Sequence, residues 1–163
     1  MRELRIRHAV GSDCPTLVSF IQKMLQDMEA DGGEPTNPDE IFWNMYREKL
    51  MDFVHRDDRL YLLAQTGDRI AGFLEAKVSD IHKVFIPKSI FHISVVYVVP
   101  ESRRHGIATA LVREALRWAS GQGCREADLN VLSHNANARR LYEKLGFEVF
   151  RYNLRIKLPG EAG

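Results

Sequence analysis

Val98-Val99-Pro100-Glu101-Ser102-Arg103-Arg104-His105-Gly106-Ile107-Ala108-Thr109 joins an apolar, β-branched run to a run with helical spacing. The segment from Ile90 to Val99 is too apolar for a solvent-facing edge and reads as a central strand. Beyond the turn, Ile107, Ala108, Leu111, Val112, Ala115 and Leu116 recur at three and four residues until Gly121-Gln122-Gly123 ends the helix. Such a junction makes the backbone itself a ligand. A helix start exposes unpaired N–H groups and a partial positive charge, and Gly106 lacks the Cβ that would hold a diphosphate away from them. Small Ala108 extends that access, and Arg103 and Arg104 add attraction, about 1.5–3 kcal/mol for each charge-assisted hydrogen bond. Neither GxxxxGK[ST] nor GxGxxG occurs, which disfavours ATP and dinucleotides. Taken alone, the same residues also describe a basic, solvated helix start.

Working outward, Leu4-Arg5-Ile6-Arg7 alternates like a half-buried strand, and Ser12-Asp13 before Pro15 reads as a capped helix start. Leu17, Phe20, Ile21, Met24, Leu25 and Met28 form one apolar stripe ahead of Gly32-Gly33. A second helix is expected from Asn37 as N-cap, with Pro38 at its first position and Glu40 completing a capping box, running toward Val54. Leu60 to Ala64 and Ile70 to Val78 flank the turn Thr66-Gly67-Asp68-Arg69, a hairpin signal. The stretch holding Val84-Phe85-Ile86 and Pro87 is harder to place. After the long helix, Ala127 to Leu132 reads as a strand, Asn135 to Leu145 as a short helix stopped by Gly146, and Glu148 to Leu158 as a final strand. The expected order is β-α-α-β-β-β-α-β-α-β, an α/β fold with a mostly antiparallel sheet and one parallel crossover.

The 163 residues suit one domain spanning 1–163, and 45% apolar with 28% charged residues is ordinary globular composition. Lys and Arg number 23 against 22 acids, so a net charge of +1 gives no general pull toward nucleic acid or an anionic membrane. No run approaches the ~20 apolar residues of a membrane span. Cys14 and Cys124 are too far apart in sequence for a CxxC pair and too few for a disulfide scaffold, so both read as packing residues in a reducing cytoplasm.

Arg103-x-x-Gly106-x-Ala108 is followed by Asn135-x-x-Ala138-x-x-Leu141-Tyr142-Glu143-Lys144-Leu145-Gly146-Phe147. The two motifs, in this order after an apolar strand, resemble the GNAT superfamily of acyl-CoA-dependent N-acetyltransferases. The resemblance covers roughly residues 90 to 150 and implies a GNAT-like fold with the mixed, mostly antiparallel sheet described above. It implies acetyl-CoA as co-substrate, no metal, and direct transfer to a primary amine in a ternary complex. It further implies that Val96, Tyr97 and Val98 pair with the pantetheine arm, that Arg103, Arg104, His105, Gly106, Ile107, Ala108 and Thr109 hold the diphosphate, and that Asn135 contacts CoA. Tyr142 matches the tyrosine that protonates the departing thiolate. Members are often dimers, so a homodimer is carried as an expectation. The alternative is a non-catalytic acyl-CoA-binding or sensing domain.

The chemistry sets requirements of its own. An amine with a lysine-like pKa of ~10.4 is roughly 99.9% protonated at pH 7, a penalty of about 4.6 kcal/mol that a base must help to meet. A strand N–H such as that of Val96 could stabilise the carbonyl oxygen as negative charge grows on it. The resemblance points for the base to the position eleven residues before Arg103, which is His92; histidine titrates near neutrality. A second family position, five before Asn135, is Asn130, which cannot titrate. Glu75, an ordered water chain, and a purely structural His92 stay open. Between 27 and 40 stand Asp27, Glu29, Asp31, Glu34, Asp39 and Glu40 with no Lys or Arg, a reason to expect a cationic acceptor with Trp43 and Tyr46 as aromatic wall. A solvated acidic loop is the competing reading.

Overall fold

Alternation at the N-terminus becomes strand β1 (Leu4–His8) because β2 (Arg59–Thr66) lies alongside it, antiparallel, with Leu4 opposite Thr66. The computed structural model describes residues 3–30, 36, 39–80 and 89–156. Its residues group into two compact units, Met1–Asn130 and Val131–Gly163. The first holds α1 (Cys14–Ala30), α2 (Glu40–Phe53), β2, β3 (Arg69–Asp80), β4 (Ser89–Val98), α3 (Ile107–Gly121) and β5 (Ala127–Leu129); the second holds α4 (Ala136–Lys144). The strands lie in the order β1-β2-β3-β4-β5, antiparallel except for the β4–β5 pair. This is the mixed α/β sheet expected from the sequence. The β2–β3 hairpin turns at Gly67, whose φ of 60° suits a residue without Cβ.

Residues directly opposite on neighbouring strands share a face of the sheet. One face carries Tyr61, Leu63, Phe73 and Tyr97 against Leu17, Val18, Phe20 and Ile21 of α1 and Leu50 of α2. On the other, Leu60, Leu62, Leu74, Ala76, Phe91 and Ile93 are buried, as are Ile107, Leu111, Val112, Ala115 and Ala119 of α3. Phe91 lies 5.7 Å from the Trp118 ring of that helix, centroid to centroid. The α3 stripe is buried at Ile107, Leu111, Val112 and Ala115, whereas the α1 stripe is buried only in its first half: Leu17, Phe20 and Ile21 are buried and Met28 is 39% exposed.

Three boundaries differ. Helix α2 is capped by Asp39, whose carboxylate accepts from the Phe42 N–H at 2.8 Å, rather than by Asn37; Asn37 and Pro38 lie outside the described residues, as do residues 81–88. Strand β5 stops at Leu129, not Leu132. The expected final strand is not formed over residues 148–156, and residues 157 and 158 lie outside those described. Phe150, Tyr152, Leu154 and Ile156 keep the alternating pattern but are 81–95% exposed. A period of two becomes a strand only where another strand supplies ladder partners, and no described strand pairs with this segment.

Gly72 of β3 lies directly opposite Val98 of β4. A Cβ added there would lie 2.6 Å from the Tyr97 carbonyl oxygen and 3.2 Å from the Val98 Cα. Gly72→Ala is therefore expected to cost about 1–3 kcal/mol of stability, read as a lower denaturant midpoint. An unchanged midpoint would contradict this strand spacing.

Candidate active site

The end of β4 leads into the turn that the sequence singled out. Val99 N–H donates to Ala71 O at 3.0 Å, and a short 3-10 turn over Pro100–Ser102 is closed by Ser102 N–H to Val99 O at 2.9 Å. Arg104 then takes φ 65° and Gly106 φ 79°. Left-handed backbone at a non-glycine residue costs roughly 1–2 kcal/mol, and such turns gather successive N–H groups into anion-binding concavities. Gly106 is the N-cap of α3 and brings no side-chain cap. The amides of Ile107, Ala108 and Thr109 open the helix, where no preceding turn offers them carbonyls. The first backbone bond returning to the turn is Ala110 N–H to Gly106 O at 3.0 Å. Among the described residues a Cβ built on Gly106 meets nothing within 4 Å beyond its chain neighbours, so the glycine leaves open space beside these amides. That cradle fits a diphosphate.

Arg103 is engaged elsewhere. Its Nη2 donates to Asp27 Oδ2 at 2.8 Å and its Nε to the Val98 carbonyl at 3.0 Å, while the Tyr97 hydroxyl donates to the same Asp27 oxygen at 3.1 Å. Arg103 thus ties the turn to α1 in this structure. Burial, with the hydrogen bond to Asp27 second, pushes the Tyr97 phenol up to about 12. The contacts also place two members of the acidic stretch. Asp27 is paired and Asp39 caps α2, while Asp31 and Glu34 lie outside the described residues. Asp27→Asn is expected to weaken CoA binding about threefold to tenfold by loosening the turn, a modest loss because the pair is partly exposed. Calorimetry checks this, and tighter binding would show that Asp27 holds Arg103 away from the phosphates.

Strand β4 parts from its parallel neighbour near the same place. Phe91, His92 and Ile93 pair with Ala127, Asp128 and Leu129, after which β5 ends and β4 continues to Val98. The backbone of Ser94–Val98 on the side away from β3 has no strand partner among the described residues. Val96, Tyr97 and Val98, expected to meet the pantetheine arm, all fall in this run. Between the pairs Ala76–Ile93 and Glu75–Val95 the register shifts, leaving Ser94 as an extra residue in a β-bulge. The bulge reverses side-chain parity, so His92, Val95 and Tyr97 share one face.

That face is apolar around Tyr97 and polar beyond the bulge. Arg59, Lys77, His92 and Asp128 stand opposite one another across four strands, and Tyr61, Glu75 and Val95 make the next row. His92 Nδ1 lies 2.6 Å from Asp128 Oδ1. Glu75 sits 4.0 Å from Arg59 Nη1, and burial raises its carboxyl above the usual range despite that cation. The phenols of Tyr46 and Tyr61 are pushed up, by burial first and by Glu75 second. The Arg59 guanidinium stacks 3.7 Å above the Phe53 ring, and among the described residues the buried Tyr61 hydroxyl and Arg59 Nε have no partner within hydrogen-bond geometry. Trp43 and Tyr46 pack against the core and, with Phe42, form an aromatic cluster on α2.

In the second unit, Asn135 caps α4 by accepting from Ala138 N–H at 3.0 Å, which leaves its amide N–H groups for another acceptor. The Leu-Gly-Phe part of the second motif is a helix stop. Phe147 N–H reaches back to Tyr142 O at 3.0 Å and Gly146 N–H to Glu143 O at 3.1 Å, with Gly146 at φ 93°. These are the two bonds of a Schellman motif. The same closure sets the Phe147 ring edge-on to Tyr142, centroids 5.7 Å apart, and burial raises the Tyr142 phenol. Cys14 and Cys124 are free thiols, both raised by burial.

The sequence did not single out Asp128. It lies 36 positions from His92, and only the parallel register brings the two together.

Comparison with known proteins agrees with this geometry. The model of the Acetyltransferase (GNAT) family matches residues 21–147. N-alpha-acetyltransferase 30 of Homo sapiens is 34% identical over 106 residues, 63% of this chain but only 28% of that protein. Aminoglycoside N(6')-acetyltransferase type 1 of Salmonella typhimurium is 27% identical over 93 residues, 56% of this chain and 64% of the relative. The chain therefore spans less than two thirds of the length of either relative. A solved structure of aminoglycoside N-acetyltransferase AAC(6')-Iy in complex with CoA shares the fold at a TM-score of 0.76 and 18% identity, covering 97% of this chain and 96% of that one. With the strand, turn and helix in place and the family model running through both motifs, the chain belongs to the GNAT family of acetyltransferases.

Proposed function

We propose that this chain moves an acetyl group from acetyl-CoA to a primary amine by direct attack. The carrying observation is the open space beside Gly106 at the first amides of α3, directly after a strand segment that has no partner on one side among the described residues. Acetyl-CoA supplies an activated acyl carbon and a thiolate leaving group. The chain's own residues bind and orient. The turn from Arg104 to Thr109 holds the diphosphate through its backbone, with Arg103 bracing it, and the amide of Asn135 adds a contact. The unpartnered run through Val96, Tyr97 and Val98 pairs with the pantetheine arm, and the Val96 N–H faces the thioester oxygen.

A primary ammonium must first lose a proton, which His92 takes; Glu75 is the second candidate, kept less acidic by its burial. The amine nitrogen then forms its bond to the carbonyl carbon and gives up its second proton to solvent, the C–S bond breaks, and the thiolate leaves with the electron pair. Tyr142 donates a proton to that sulfur and is reprotonated from solvent. The sum is one amide, one thiol and one released proton. Members of this family that act on protein α-amino groups and on aminoglycosides mark the acceptor classes to try first. The remaining acids on and after α1 favour a cationic acceptor. Two free cysteines suit a reducing cytoplasm, and a homodimer is the oligomer to look for by light scattering.

Free-thiol release from acetyl-CoA, measured with spermidine, kanamycin, amino acids, arylalkylamines and peptides with free N-termini, tests this reading. Release above the hydrolysis blank with at least one amine is expected. Saturable CoA binding with no release from any amine would leave a binding domain.

A further inference from the structure

We propose that Asp128 is a positioning residue for His92, fixing the imidazole so that Nε2 faces the acceptor with its lone pair free. The inference rests on the acetyl-transfer reading and on His92 as base. A carboxylate only accepts hydrogen bonds, so the 2.6 Å contact between Asp128 Oδ1 and His92 Nδ1 places the ring proton on Nδ1. In a neutral imidazole that leaves Nε2 unprotonated. The backbone supports the pair, because His92 and Asp128 are opposite partners in the β4–β5 ladder, one position before the last, Ile93 with Leu129. Beyond that rung β5 ends, so the dyad lies at the mouth of the unpartnered β4 run. The bulge at Ser94 turns His92 to the face of Val95 and Tyr97. Its His92 side chain is 26% exposed, open enough for proton exchange yet held on one side.

The other charged or titratable groups facing this row are Lys77 and Glu75 on β3, Arg59 and Tyr61 on β2, and Tyr46 on α2. Lys77 stands directly opposite His92 and cannot accept a proton while it is an ammonium, so it does not replace the carboxylate as the Nδ1 partner. The step itself is a proton transfer. His92 Nε2 takes one proton from the acceptor ammonium, the imidazolium is stabilised by Asp128 across Nδ1–H, and the proton later passes to solvent as the base resets. Asp128 is never protonated in the cycle and touches neither substrate.

A purely structural Asp128 would pin β5 to β4, and Asn would preserve that, since its amide can also hydrogen-bond Nδ1. Asn differs in offering a donor, which releases or reverses the tautomer. Nitrogen-15 NMR of the full chain, above the ordinary imidazole titration range, reads the His92 tautomer without any acceptor. The wild type is expected to show Nδ1–H, and Asp128→Asn to lose it. With acetyl-CoA and the panel amine of highest turnover, Asp128→Asn is expected to lower kcat tenfold or more while the acetyl-CoA Kd and KM stay unchanged. Asp128→Glu should restore part of the rate, and His92→Gln should lower kcat at least as far as Asp128→Asn. A wild-type His92 protonated at Nε2, or an Asp128→Asn enzyme with wild-type kcat, overturns the proposal and leaves acetyl transfer standing. Absence of thiol release from every amine in the wild type removes the acetyl-transfer reading and this proposal with it. Should Asp128→Asn fail to fold, the wild-type tautomer alone decides.

Discussion

Tyr142→Phe is expected to lower kcat about tenfold to a thousandfold and to leave acetyl-CoA affinity nearly unchanged. The substitution is a narrow one because of how the tyrosine is held. Its carbonyl accepts from Phe147 N–H, and its ring meets Phe147 edge-on at 5.7 Å; phenylalanine keeps both contacts. Only the hydroxyl is lost. Burial raises that phenol above its ordinary value, so the proton is present throughout the neutral range and no acid limb in the pH–rate profile belongs to it. The sign is therefore fixed: the wild type can lose activity through Tyr142 only at alkaline pH, as the phenol ionises. Without the hydroxyl, the sulfur must leave as a bare thiolate or take its proton from water. Stopped-flow measurement of thiol release isolates the chemical step, and an unchanged rate there would remove Tyr142 from the mechanism.

What could be read from the chain alone was mostly local. The β2–β3 hairpin, the amphipathic α3 and the capped α4 follow from spacing, a glycine at a left-handed position, and side chains a few residues from the amides they cap. The cap of α2 was placed at Asn37 because Asn and Asp compete for this role by the same chemistry; Asp39 wins because its oxygen meets the Phe42 amide. Contacts between partners distant in sequence were not legible in it. Asp27 and Arg103 are 76 positions apart, and His92 meets Asp128 only through the parallel register. The Ser94 bulge also leaves little local trace, since Ile90 to Val99 is apolar on both sides of it. Yet it decides that His92 shares a face with Tyr97. The segment after Phe147 alternates as a strand should, but alternation does not supply the neighbouring edge.

These nonlocal contacts change how the site is understood. The acidic residues of α1 looked like an attraction for a cationic acceptor, but the one nearest the turn, Asp27, holds both Arg103 and the Tyr97 hydroxyl. It therefore joins the diphosphate turn, the end of β4 and α1 in one hydrogen-bonded group. The Asp27→Asn measurement of CoA affinity proposed above therefore reads this brace directly.

Gly106→Val is expected to weaken binding of CoA and acetyl-CoA at least about tenfold, the loss of one good charge-assisted contact or more. Two effects must be separated. A β-branched residue at φ 79° is strained wherever it sits, at roughly 1–2 kcal/mol or above, and that strain alone could disturb the turn. The second effect is occupancy, since the Cβ of the new residue would enter space where, its chain neighbours aside, no atom of the described residues lies within 4 Å. Gly123 supplies the control. It follows the other end of α3, has φ 80°, and likewise has nothing within 4 Å of an added Cβ. Gly123→Val should lower the melting temperature as much as Gly106→Val, but bind CoA normally by calorimetry. If both variants lose affinity equally, strain in α3 is the cause. If neither does, the diphosphate does not rest on the amides of Ile107, Ala108 and Thr109, and the turn after β4 is not where this protein holds its acyl carrier.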